Sequence, residues 1–260
     1  MSDSPTAGGV RLEIDERLAV LTIDRPAARN AIGFATTAEL EDALTELERS
    51  DVAVLVITGG GDRAFVSGGD LKELSAVRTH SDAVAMATRV RRVLDRVADF
   101  PAPVIAALNG HALGGGAEVA FAADIRIAAD DIRIGFNQVT LGIMPAWGGA
   151  ERLAQAVGRG RALLAVAAGE QYDAPTAREL GLIDVVVRRD QFEEHWRDLA
   201  RRLAGQAPGA TRAIKSVIAP AAPALHRQFE AAATDAFATL WVADAHWAAV
   251  DAFNAKRASS

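Results

Sequence analysis

The chain has 260 residues, half of them hydrophobic and about a quarter charged, which is enough for one large domain with a sizeable core. Its 28 basic and 34 acidic side chains leave a formal charge of −6 and no Lys/Arg run, which argues against nucleic acid as the main partner. Cysteine is absent, so disulfides, thiolate nucleophiles and Cys-based metal sites are excluded, and no apolar run reaches the ~18 residues of a bilayer span. The polar segment from Met1 to Gly9 lacks the basic-then-apolar order of a signal peptide, so the expectation is a cytoplasmic chain with a short frayed N-terminus and no membrane association.

In chain order, Val10–Ile14 and Leu18–Ile23 are β-rich runs around a turn and predict a hairpin. Apolar residues at Leu40, Ala43, Leu44 and Leu47 give Thr36–Arg49 helical spacing. Val52–Thr58 and Val104–Leu108 are continuous apolar runs that predict buried parallel strands, with a helix over Asp82–Ala98 between them. A helix is expected from the glycine run at 114–116 through Ala123, then a strand over Ile125–Ala128. Beyond Gly148 the pattern turns helical: Ala150–Val157, Arg161–Ala168, Ala174–Leu180, Gln191–Ala204, Thr211–Ile218, and one or two helices in Pro223–Lys256. Strands alternating with helices, then helices alone, predict an α/β core with a helical C-terminal third.

Three stretches carry chemistry. In Asn109 to Glu118 a strand runs into Gly114-Gly115-Gly116 and then a helix. Glycines let backbone approach a ligand closely, and the first helix amides point outward with no internal partner, which suits an oxygen gaining negative charge. Glu118 lies three residues after Gly115, one turn on along the same face; a tight packing junction with a first-turn charge is the plainer alternative. Ala64 to Lys72 offers a second bare turn at Gly68-Gly69, with Asp70 placed to cap a following helix. Together the two turns could supply converging donors at the carboxyl ends of parallel strands. The third stretch, Phe136 to Gly149, is a glycine-punctuated loop with Trp147 as a wall and with Asn137 and Gln138, which cannot titrate. The five histidines show no metal-ligand spacing, and His111 is read as a packing or turn residue. No Gly-x-Ser-x-Gly elbow is present, and nothing designates a base for Ser67.

At these residues the chain resembles the enoyl-CoA hydratase/isomerase (crotonase) family. Matching stretches run in order through Arg25-Pro26 to Asn30-Ala31, Ala64 to Lys72, Asn109 to Glu118, Asp124 to Ala128, and Leu141 to Gly149 with Arg152-Leu153. Ala174 through Ile183 and the tail Ala252-Phe253 to Lys256-Arg257 match as well. The resemblance implies a spiral of ββα repeats over residues 1–200 that holds the CoA and acyl site, with a helical region over 201–260 for trimerisation, the trimers often pairing into hexamers. It places the oxyanion-hole amides at Gly69 and Gly115, with Gly114 beside them. Ala64, Val66, Ser67 and Gly68, followed by Asp70, Leu71 and Lys72, resemble the family's adenine- and pantetheine-binding strand and loop. Arg29 falls near a phosphate-contacting basic residue, Pro145 and Trp147 fall on the acyl pocket, and Phe253 and Lys256 resemble residues that reach a neighbouring subunit's CoA. The partner implied is an acyl-CoA thioester; no separate cofactor and no metal are called for, since CoA enters as part of the substrate.

One departure changes the chemistry expected. Glu118 falls on the first of the two glutamates of a typical hydratase, but the second position is Gln138, and the place of a third acid in some members is Ala146. An amide can orient a water or carboxylate but cannot shuttle a proton. The expected activity is an enoyl-CoA hydratase-type lyase using Glu118 with Gln138 aligning the water. The alternatives are an acyl-CoA decarboxylase acting on a malonyl-type thioester, whose members Pro145 to Gly149 somewhat resemble, and an acyl-CoA-binding protein without catalysis.

Overall fold

Glu16, in the left-handed region at φ 50°, reverses the chain between β1 (Val10–Asp15) and β2 (Leu18–Ile23), which pair antiparallel as the expected hairpin. The computed structural model describes residues 9–218 and 223–258, with side chains described over 9–218 and 231–256. The N-terminal segment expected to fray lies, apart from Gly9, outside the described residues. Helix α1 (Phe34–Glu48) buries Leu40, Ala43, Leu44 and Leu47, and the chain enters β3 (Val54–Gly59), parallel to β2. Then come β4 (Ala64–Val66), the short α2 (Leu71–Leu74) and α3 (His80–Ala98), which starts where the Thr79 side chain accepts from the Asp82 amide.

The next two turns repeat the pattern. Strand β5 (Val104–Leu108) is followed by β6 (His111–Leu113) and α4 (Gly115–Ala120). Strand β7 (Ile125–Ala129) is followed by β8 (Arg133–Gly135), a 3-10 turn over Asn137–Leu141, α5 (Gly149–Val157) and α6 (Arg159–Ala168). The remaining elements are β9 (Tyr172–Asp173), α7 (Ala174–Leu180), β10 (Val185–Val187), α8 (Phe192–Ala204), α9 (Pro208–Ile218), α10 (Pro223–Trp241) and α11 (Asp244–Ala258). Each turn thus lays one strand in a six-stranded sheet, ordered β1-β2-β3-β5-β7-β10, and the next in a four-stranded sheet, ordered β4-β6-β8-β9. This is the ββα spiral. The core lies where α1, on β1 and β2, and α8, on β2, β3 and β7, cover the larger sheet, and every residue of β5 is fully buried.

The structure corrects two expectations. The glycine turns do not follow the long buried strands β3 and β5 directly. They follow β4 and β6, three-residue strands of the second sheet that pair in parallel (Val66 opposite Ala112) and are too short to show a period in sequence. Helix α4 ends at Ala120 rather than Ala123, because the Asp124 amide and carboxylate both bond the Val104 backbone, at 2.9 and 2.7 Å, and turn the chain into β7 beside β5. The C-terminal helices dock on their own core: α10 lies along α3, and α11 packs on the 3-10 turn at 137–141.

Asn30 ties the spiral's first turn together. It is fully buried at φ 56°; its Oδ1 accepts from the Arg25 amide at 2.9 Å, and its Nδ2 donates to the carbonyls of Gly60 at 2.9 Å and Ala64 at 2.7 Å. Asn30→Ala strands three buried backbone groups, so chemical denaturation should show a loss of roughly 2–4 kcal/mol. A change within about 0.5 kcal/mol would show that the turn stands without this side chain.

Candidate active site

Two short parallel strands end side by side, and each runs into glycines. After β4 the chain passes Ser67 and turns at Gly68, where φ is +103°; after β6 it turns at Gly114, with φ 57° and ψ −118°. Such backbone is open to glycine and strained for other residues. The turns abut: a methyl group on Gly68 would lie 3.2 Å from the Gly115 nitrogen, and one on Gly116 only 1.8 Å from the Val66 carbonyl oxygen.

Two backbone amides are left uncommitted here. Ile32 bridges in parallel to Gly69 by donating to the Gly68 carbonyl and accepting from the Asp70 amide, both at 2.9 Å. A parallel bridge of this kind leaves the N–H of Gly69 itself on the opposite edge. Gly115 opens α4, so its N–H has no acceptor within the helix. Among the described residues neither amide donates a hydrogen bond. The indole of Trp147 lies against both turns, 2.2 Å from where a methyl on Gly115 would sit and 3.9 Å from where one on Gly69 would sit.

Glu118 is one turn along α4 from Gly115 and only 2% exposed. Its Oε2 accepts from the amides of Trp147 at 2.7 Å and Gly149 at 3.0 Å, and its Oε1 accepts from Nε2 of Gln138 at 3.0 Å. Gly148, between the two donors, is left-handed at φ 87°, so 147–149 forms a concave nest of N–H groups around the carboxylate oxygen. Burial pushes the Glu118 carboxyl up to about 7 despite those two amides, which favour the ionised form. Gln138 is itself 7% exposed, and its Oε1 has no partner among the described residues. It leaves one buried acceptor in the site beside a carboxylate poised near neutrality.

The structure brings Gly68, Gly69, Gly114, Gly115, Glu118, Gln138 and Trp147 together in one place, with Pro145 buried in the same turn. Ala64 and Val66 are buried in β4 and hold that strand in place, and Ser67 is exposed beyond it. The Asp70 carboxylate pairs with Arg25 at 3.0 Å and caps α2, while Leu71 is half-buried and Lys72 exposed on that helix. Arg29 is exposed, and its carbonyl accepts from the Ser67 amide at 3.1 Å, so it borders the same loop. Phe253 and Lys256 lie on the exposed side of α11, the helix packed on the Gln138 turn. His111 opens β6 as an exposed strand residue and not a turn, and its Nδ1 accepts from the Arg133 amide at 3.0 Å. Among the described residues no group of His, Asp and Glu is placed to hold a metal ion. Sequence reading missed the amides of Trp147 and Gly149 as anchors for Glu118; the adjacent glycines at 148 and 149 were the visible signal.

The family model described as "Enoyl-CoA hydratase/isomerase" matches residues 13–260. The "Short-chain-enoyl-CoA hydratase" of Clostridium acetobutylicum is 36% identical over 210 residues, covering 80% of each chain. The "2,3-dehydroadipyl-CoA hydratase" of Escherichia coli is 38% identical over 208 residues, covering 78% of each. The crystal structure of an enoyl-CoA hydratase from Bacillus anthracis superposes with a TM-score of 0.79 at 30% identity, covering 95% of this chain and 96% of the other. By the extent of these matches and by its fold, the chain belongs to the enoyl-CoA hydratase/isomerase family.

Proposed function

We propose that the chain is an enoyl-CoA hydratase-type lyase in which Glu118 is the only carboxylate acting on substrate, and Gln138 takes the place of a second. The observation that carries this reading is the Glu118 carboxyl, buried, held near pKa 7 and one turn along α4 from the uncommitted Gly115 amide, against which the Gly68-Gly69 turn abuts. The thioester carbonyl oxygen sits between the N–H groups of Gly69 and Gly115, which favour the enolate over the ground state. Water lies between the Glu118 carboxylate and Oε1 of Gln138, whose open lone pair takes one water hydrogen. Glu118 accepts the other proton as the water oxygen bonds to C3 and the C2–C3 π electrons move into the enolate. It then returns that proton to C2 as the carbonyl re-forms, so the carboxylate ends as it began.

In this reading CoA arrives as part of the substrate and no separate cofactor is needed. Arg29 and Lys72, both exposed beside the Gly68-Gly69 turn, face its phosphates, and Phe253 and Lys256 complete the site of a neighbouring subunit. Exposed Leu163 and Leu164 on α6, and Ile214, Val217 and Ile218 on α9, supply apolar surface for assembly into trimers or pairs of trimers. Light scattering reads that assembly directly, and a monomer at micromolar concentration would remove it from the proposal.

The test of activity is mass spectrometry of enoyl-CoA thioesters of several lengths incubated with the enzyme in oxygen-18 water. Uptake of labelled water supports the hydratase; methylmalonyl- and ethylmalonyl-CoA belong in the same panel. Loss of carbon dioxide from either would establish the second reading, a decarboxylase, which the non-titrating Gln138 favours because that reaction needs no second base. Silence across the panel with CoA still bound would leave an acyl-CoA-binding protein. Within the hydratase reading, Gln138→Glu restores a titratable partner and should raise crotonyl-CoA hydration by about tenfold or more. Absence of any gain would mean that the pocket is built for another reaction.

A further inference from the structure

Behind the nest that grips Glu118 sits an ion network between α3 and α5, its two arginines buried and its carboxylates, Asp95 and Glu151, half-buried. Arg152 of α5 is 9% exposed; its Nη1 donates to the Trp147 carbonyl at 3.0 Å and its Nη2 pairs with Asp95 of α3. Arg91, fully buried, donates to Glu151 at 2.9 Å and lies 3.8 Å from Asp95. The Trp147 carbonyl belongs to the peptide between the two N–H groups that reach Glu118, so a guanidinium on that carbonyl fixes the plane of the nest from its far side. The turn is moulded on the guanidinium: a methyl on Gly148 would lie 2.8 Å from Nη1, and the Gly148 carbonyl accepts from the Arg152 amide at 3.2 Å. The planar guanidinium fork holds the carbonyl and the carboxylate at once in fixed directions, which a single ammonium point charge does not set.

We propose that Arg152, braced by Asp95, is a positioning residue for Glu118: it holds the 147–149 turn in the conformation whose two amides grip the carboxylate. The inference deepens the reading of Glu118 as the acid/base, and the residue acts through backbone without touching substrate. The charges facing Glu118 are Glu151, which raises its pKa, and Arg152, which lowers it, both on α5; Asp95 and Arg91 stand behind them on α3. If the turn relaxes, the carboxylate loses two donors and titrates higher still.

The test compares Arg152→Lys and Arg152→Gln, with Asp95→Asn as the milder variant. Lys keeps the charge and loses the fork, which separates positioning from a through-space effect. The expected result is that both Arg152 variants move the acidic limb of the kcat/KM profile up by about one pH unit. Activity then falls about fivefold at pH 7 and recovers at pH 9, with KM little changed. An acidic limb that stays in place in Arg152→Lys, or in both variants, overturns the proposal. If the Arg152 variants do not fold, Asp95→Asn decides by the same criterion. Infrared difference spectra of the Glu118 carboxyl, taken against Glu118→Gln in substrate-free enzyme, read the same shift without turnover. An infrared shift in an enzyme silent on every thioester would uphold Arg152 and sink only the hydratase reading.

Discussion

Glu118→Gln should lower hydration by about 10²–10⁴-fold while leaving CoA affinity unchanged, because it removes the buried carboxyl one turn along α4 from the uncommitted Gly115 amide. The replacement is nearly isosteric. Its oxygen can still accept from the amides of Trp147 and Gly149, and its new NH2, taking the place of the oxygen that accepts from Nε2 of Gln138, can donate to Oε1 of Gln138 once that amide flips. The variant should therefore fold, and its stability carries a second signature. Burial raises the Glu118 pKa from 4.5 to about 7. Between those values the native state keeps a proton that the unfolded chain has lost, so this group's contribution to stability falls as pH rises through that window. The loss is on the order of 3 kcal/mol by pH 8. Glu118→Gln should thus match wild type near pH 4 and exceed it near pH 8 in denaturant titrations. Activity within a few-fold of wild type would refute the assigned role, and equal stability at both pH values would show that the carboxyl is not held near neutrality.

Gly115→Val should abolish turnover by about 10²–10³-fold or more, the usual effect of losing one donor to the developing oxyanion. The first atom of any side chain at 115 would lie 2.2 Å from Cζ3 of Trp147, so the indole must leave the position where it covers both glycine turns. Since the Trp147 amide holds Glu118, the same push disturbs the carboxylate. A cavity offers the control. Gly115→Ala combined with Trp147→Ala removes the clash, and should recover part of the activity lost in Gly115→Ala alone. Full activity in a folded Gly115→Val protein would show that this amide binds no oxyanion.

Much of this architecture was legible before folding. The helices α1 and α3, the apolar runs of β3 and β5 and the helices beyond Gly148 appear within a residue or two of where the sequence places them, except α9, which starts at Pro208, three residues before Thr211. What escaped the pattern was the second sheet. Strands of two or three residues, such as β4, β6, β8 and β9, carry no period of their own and exist only because neighbouring turns of the spiral align them. The C-terminal pair was legible as helical, but not its place. Trp241 donates to the Val77 carbonyl at 3.1 Å and His246 bonds the Leu141 carbonyl at 2.6 Å, contacts that reach 164 and 105 residues back along the chain.

The site divides the same way. The sequence by itself determined which groups are available: two glycine turns that can bare an amide, one carboxylate three residues past Gly115, and an amide side chain at 138 that can never carry a proton. These are properties of residue type, and no fold can alter them. Only the tertiary structure decided that the two turns abut, that the 147–149 backbone closes on Glu118, and that Arg152 braces that turn against α3. Those contacts join positions far apart in sequence, and each depends on burial. Desolvation, which lifts Glu118 to about 7, is a property of the packed surroundings and not of the glutamate.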